Sequence, residues 1–183
     1  NERAEQDLKN GIIEAFAGAS FIDKSVTDGD ISTNVSEDYI MRKIREDYLG
    51  DSTVTVVLIG TETASRPFVN SEIQASLWGE NPAGLIGVIR DEIYSSVFSS
   101  GVCSDTSCNC GIGIRTIDWG YEHYLPWLIK KNHSFSKLVP HYDDMDVYCS
   151  LVKYSDFIGN SEFYINQAFD KRNYGTCSKE KSR

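Results

Sequence analysis

Residues 53–89, TVTVVLIGTETASRPFVNSEIQASLWGENPAGLIGVI, decide the fold. Thr53 to Ile59 is a run of β-branched and apolar residues closed by Gly60. That composition suits a strand buried on both faces, as strands of parallel sheets are. After a polar turn, Pro67 opens a helix at a position where its missing N–H is not needed. Val69, Ile73 and Leu77 then recur at helical spacing, and Gly79 to Pro82 ends the helix. Gly84 to Ile89 is a second buried strand. Strand, helix and strand in so short a span form a βαβ unit, for which a right-handed crossover is the default.

Working towards the N-terminus, Ile40, Ile44 and Tyr48, with Met41 beside them, stripe a helix capped by Asn34 or Ser36. The charges from Arg42 to Asp47 form its solvated face. Lys24 to Asn34 is a polar loop, and Ala19 to Ile22 a short buried strand ending at Asp23. Leu8, Ile12, Ile13 and Phe16 mark an amphipathic helix from Glu2 to Phe16.

In the other direction the pattern dissolves between Asp91 and Asp146. This stretch reads as a long irregular insertion within a single domain of residues 1–183, a kind of loop that usually serves function or mobility. Val147 to Lys153 is a last strand, Ser161 to Phe169 a closing helix, and a polar tail follows.

A chain of 183 residues fits one domain with a core of its own. Its net charge of −9, from 18 basic and 27 acidic side chains, argues against nucleic acid and anionic membrane surfaces as partners. A dinucleotide is not excluded, because backbone N–H groups at helix starts hold small phosphorylated ligands. Asn1 to Lys9 is polar and unlike a secretory leader. Five cysteines, an odd number, fit reduced thiols and a cytoplasmic location.

The element order resembles an α/β flavodoxin-like or TIR-type three-layer fold with a mostly parallel sheet. SEDYIMRKIRE, then STVTVVLIGTETASRPFVNSEIQASLW and GLIGVIRDE, resemble the TIR-like family of bacteria and archaea. That family includes the TIR-like sensor proteins of Thoeris anti-phage defence. The resemblance covers about Phe21 to Glu92 and resumes in YCSLVKYSDF and FYINQAFDK. Phe68 stands where the family commonly has Trp. By the resemblance, the family's first strand and its loop are expected to be missing from this chain, with a short β segment upstream of Asn1. Without it, the strand at Phe21 would have to span two inter-strand spacings, roughly 10 Å, to reach Thr53 to Ile59. Residues 1–183 alone are therefore expected neither to fold well nor to turn over NAD.

The resemblance implies an NAD glycohydrolase or ADP-ribosyl cyclase that makes a cyclic ADP-ribose-type signal, with NAD as substrate and no cofactor. An effector protein that binds the product would be an indirect partner, and self-association is a further expectation. Glu72 is the implied catalytic carboxylate. It lies near the C-terminal edge of the sheet, where open α/β folds bind ligands, and one position off the Val69, Ile73, Leu77 stripe. Its alternative is an acidic residue favoured early in a helix by the macrodipole.

Asp23, at the end of its strand, contacts ribose or adenine by the same resemblance, or else caps the loop through an Asx turn. Ser25 is its weaker companion. Cys103, Cys108 and Cys110 have the spacing C-x4-C-x-C, with His123 and His133 downstream. That is too loose for a structural zinc site, and reduced loop thiols are expected. Trp119, Tyr121, Tyr124 and Trp127 pack the insertion down or form a lid over a nucleotide. The rival to an enzyme is a non-catalytic assembly module, since TIR folds also serve that role. A receiver domain fits worst, because Gly60 rather than Asp ends the Thr53 to Ile59 strand.

Overall fold

The computed structural model of the chain describes residues 2–15, 53–66, 68–101, 114–133, 144–145 and 147–180. Its elements are α1 (Glu2–Ala15), β1 (Val54–Ile59), a 3-10 turn (Thr63–Ser65), α2 (Val69–Leu77) and β2 (Gly84–Ile89). They continue with α3 (Asp91–Val97), β3 (Phe98–Gly101), β4 (Ile114–Ile117), α4 (Trp119–Tyr124) and α5 (Trp127–His133). The last are β5 (Cys149–Lys153), α6 (Tyr154–Gly159) and α7 (Ser161–Tyr174). The strand expected at Ala19 to Ile22 and the helix striped by Ile40, Ile44 and Tyr48 lie outside the described residues.

The βαβ unit of residues 53–89 is present. β1 and β2 pair in parallel from Val54↔Gly84 to Ile59↔Ile89, and β5 adds in parallel to the other side of β2, from Leu85↔Cys149 to Ile89↔Lys153. Among the described residues the order is β1-β2-β5, with a separate antiparallel pair β3-β4. β2 is buried at all six positions, whereas β1 stays half-buried up to Leu58 and is fully buried only at Ile59. The difference follows from position: β2 is central, and β1 is an outer strand of the described sheet.

Strand alternation divides the side chains between two helical layers. Leu85 and Ile89 of β2, Cys149 and Leu151 of β5, and Ile59 of β1 face a core built with Ile73, Leu77, Leu125, Leu128 and Ile129. Ile86, Val88 and Val152 face the opposite way, onto Ile12 of α1, Phe157 of α6 and Ala168 of α7. Each such aliphatic side chain, fully buried, contributes about 1.5–3 kcal/mol. The chain is thus α/β, with a parallel sheet between helices.

The stretch from Asp91 holds α3, β3, β4, α4 and α5, none longer than seven residues. Pieces this short end before a helical or alternating period can repeat, which is why no pattern shows in the sequence. They nonetheless supply Leu125, Leu128 and Ile129 to the core. α7 runs past the expected end at Phe169 to Tyr174, and α6 precedes it. Its inner face is marked by Ala168 and Lys171, while Phe163, Phe169 and Tyr174 are exposed, so its large apolar residues do not trace the buried side.

Candidate functional site

β1, β2 and β5 all run in one direction, so the loops that follow Ile59, Ile89 and Lys153 gather at one edge of the sheet. The loop after β1 is tied down by Thr63. Its Oγ1 accepts the Gly60 N–H at 2.9 Å and donates to the Leu58 carbonyl at 3.4 Å, and the residue is buried. Arg66 N–H closes the turn on Thr63 O at 3.3 Å, and α2 begins at Val69.

Glu72 lies in the first turn of α2, half-buried, with its N–H donating to Phe68 O at 2.9 Å. A carboxylate is favoured there by the partial positive charge of the helix start. Two residues before and after it, α2 is anchored on its other side. Asn70 Oδ1 accepts the Leu128 N–H at 3.1 Å, at the start of α5. Gln74 Nε2 donates to the Lys179 carbonyl at 2.9 Å. At 100° per residue Glu72 lies roughly 160° around the helix from both, on the side of α2 away from these two anchors.

Asp23 and Ser25 lie outside the described residues, as do Cys103, Cys108 and Cys110. Of the three expected site residues the structure therefore places Glu72. At the same edge, Arg90 follows β2, donates its N–H to Ile59 O at 3.0 Å, and pairs through its guanidinium with Glu92. Asp91 Oδ1 accepts the Ser155 N–H at 3.0 Å and so caps α6. Tyr154 donates its hydroxyl to Leu8 O at 3.0 Å, pinning α1 to this end of β5.

A second polar group, on the outer edge of β5, was not foreseen. Arg115 of β4 donates to the Leu151 carbonyl at 2.7 Å and pairs with Asp144 at 2.8 Å, its guanidinium 4.2 Å from the Phe98 ring centre. Asp144 Oδ1 also accepts the Leu151 N–H at 3.0 Å. His133 donates from Nδ1 to the Cys149 carbonyl at 2.9 Å, and the Lys171 ammonium reaches Asp144 O and Ser150 Oγ. Burial, working against the nearby Asp144, lowers the His133 pKa to about 4, so the ring is neutral at pH 7. Burial also pushes the Cys149 thiol well above its ordinary range, which removes it as a nucleophile.

These residues come from β4, α5, the turn at Asp144 and α7, so no local pattern could have joined them. The one available signal was Lys171, a charge on what proves to be the buried face of α7. Among the described residues no group of three or more His, Cys, Asp and Glu could hold a metal ion. His133 is instead committed to the β5 backbone, and His123 donates from Nδ1 to the Trp119 carbonyl of its own helix at 2.8 Å.

Of the four aromatics expected to pack the insertion down, Tyr121 is buried, and Tyr124 and Trp127 pack against the core. Trp119 is 54% exposed and stacks edge-on with His123 and Tyr124 on the surface. No helix among the described residues is long and apolar enough to cross a membrane.

No curated protein and no solved structure matches the chain. The family model of the Thoeris protein ThsB, TIR-like domain, matches residues 2–93, a span that contains α1, β1, α2, β2 and Glu72. β5, with the sequence YCSLVKYSDF around it, lies beyond that span and joins the same sheet by pairing with β2. The match covers just over half of the 183 residues, and the chain belongs to the TIR-like domain family of the Thoeris protein ThsB.

Proposed function

We propose that the chain is an NAD-consuming enzyme of Thoeris anti-phage defence, cleaving the bond between nicotinamide and ribose. The observation that carries the reading is Glu72: a half-buried carboxylate in the first turn of the helix after β1, at the sheet edge where open α/β folds take ligands, inside the family match. Family membership connects the chain with Thoeris defence.

The chemistry asks little of the protein in the way of proton transfer. The nicotinamide of NAD is a cationic pyridinium, so it leaves with the bonding electron pair as a neutral molecule. What develops is an oxocarbenium-like ribose. The Glu72 carboxylate beside that ribose stabilises the positive charge as it forms and holds the ribose hydroxyls. Water then gives ADP-ribose and a proton. In a cyclase the adenine end of the same substrate is held close, and its nucleophile attacks before water does. Asp23 and Ser25 serve as the substrate-binding partners, on ribose or adenine. The product is a cyclic ADP-ribose-type signal read by a separate effector protein in the cytoplasm.

Incubating the full-length natural protein with NAD and resolving the products by mass tests the reading. Release of nicotinamide, with a product of the mass of cyclic ADP-ribose or of ADP-ribose, is expected. Intact NAD, under conditions in which the protein is folded, would favour an assembly module instead.

A further inference from the structure

The segment that follows α7, residues 175–180, has no helix or strand, yet its backbone is held at four points by side chains of α2 and α5. Asn132, 2% exposed, accepts the Ser178 N–H at Oδ1 (2.8 Å) and donates from Nδ2 to the Ser178 carbonyl (3.0 Å). Gln74, 7% exposed, donates to the Lys179 carbonyl at 2.9 Å. Trp127 Nε1 donates to the Glu180 carbonyl at 3.1 Å. In return the Lys179 ammonium donates to Gly79 O at 2.8 Å, just past the end of α2.

Burying an amide side chain without a partner costs about 1–3 kcal/mol. Asn132 and Gln74 therefore depend on this segment in part: without it Asn132 Oδ1 loses the Ser178 N–H and Gln74 Nε2 the Lys179 carbonyl, while Asn132 Nδ2 keeps the Leu128 carbonyl of its own helix at 2.8 Å. Gln74 Oε1 is already buried without a hydrogen-bond partner among the described residues, so its side chain is held by the Lys179 contact. The recognition is of main-chain groups, and it spans two helices. α2 is gripped from the same side by Asn70, which caps α5 at Leu128.

We propose that residues 175–180 are a positioning strap for the Glu72 site. The strap fixes Gln74 directly and α5 through Asn132 and Trp127, and α5 in turn fixes Asn70. Glu72 is the residue midway between the two anchored positions, on the opposite face of the same turn. The strap thereby sets the first turn of α2 without touching substrate. The importance of that turn for turnover rests on the reading of Glu72 as the catalytic carboxylate.

The test uses Ser178→Pro in the full-length natural protein, which deletes the N–H that Asn132 accepts and leaves α2 and α5 unaltered in sequence. Amide hydrogen exchange is read at Glu72, whose N–H closes the first turn of α2, with Val88 of the buried β2 as reference. The strap predicts that Glu72 exchanges about tenfold faster while Val88 keeps its rate. Trp127→Phe, which removes the hydrogen bond to Glu180 O and keeps a smaller aromatic ring, shifts Glu72 exchange in the same direction. An unchanged Glu72 rate overturns the strap, and so does a rise shared equally by Val88, which marks global loosening. NAD turnover is measured alongside: the strap predicts a fall in kcat with KM for NAD held. Because exchange is read without substrate, a chain that does not turn over NAD removes the catalytic reading and leaves the strap to be judged by exchange alone.

Discussion

Asp144 Oδ1 accepts the Leu151 N–H at 3.0 Å, so a side chain takes the place that a neighbouring strand would occupy on the outer edge of β5. Arg115 takes the Leu151 carbonyl and His133 the Cys149 carbonyl along the same edge. Open strand edges are templates for unwanted pairing, and charges along them prevent it. The edge here is closed by groups that also bind one another, Arg115 to Asp144 at 2.8 Å.

Removing that carboxylate should be costly. Asp144→Ala leaves the Leu151 N–H and the Arg115 guanidinium without their shared partner, and a loss of about 2–3 kcal/mol is expected by urea unfolding. Asp144→Asn keeps an acceptor for Leu151 and should lose about half of that. Equal losses for the two variants would show that the charge, rather than the backbone bond, is what matters.

His133 sets a pH limit. Its folded pKa is lowered to about 4, from 6.5, chiefly by burial, with Asp144 opposing and Arg115 and Lys171 adding to the shift. Between those two values the unfolded chain binds the proton and the folded chain resists it. The contribution is therefore complete above pH 6.5 and is lost as pH falls towards 4. At pH 5 about 2 kcal/mol should be gone relative to pH 7. Urea titrations at both pH values check this. His133→Gln, whatever its stability at pH 7, should show a smaller difference between the two, and an equal difference would reject His133 as the source.

Legibility in the sequence followed element length and burial. β1, α2 and β2 announce themselves because each keeps one period long enough to be seen: an unbroken β-branched run, a Val69, Ile73, Leu77 stripe, and a second apolar run. α1 was readable for the same reason, from Leu8, Ile12 and Ile13. α3 to α5 were not, because each ends within about two turns. The edge cluster of Arg115, His133, Asp144 and Lys171 was not legible as a cluster, because its members meet only through tertiary packing. Glu72 was legible as a position, one step off its helix's buried stripe. Its anchors Asn70 and Gln74 were not, since both are explained by partners on α5 and in residues 175–180 that lie 58 and 105 residues away.

Two glycines of β2 differ in what lies against them. A Cβ at Gly84 would strike the main chain of α7 at the Ala168 carbonyl, which cannot rotate away. At Gly87 it would meet the tips of Leu151 (2.5 Å) and Ile59 (2.9 Å), side chains that can shift. Gly84→Ala is expected to cost about 3 kcal/mol or more and Gly87→Ala about 1–2 kcal/mol. Thermal melts of the two variants test the order. A Gly84→Ala protein as stable as wild type would mean that α7 does not lie this close to β2.

The most direct measurement is the rate of NAD cleavage by the full-length natural protein and by its Glu72→Gln variant. The substitution keeps the size and shape of the side chain and removes the charge that stabilises the forming oxocarbenium ion. Nicotinamide release should fall about a hundredfold or more, with the thermal midpoint held within a few degrees. Equal rates in the two proteins would contradict the assignment of Glu72 as the catalytic carboxylate.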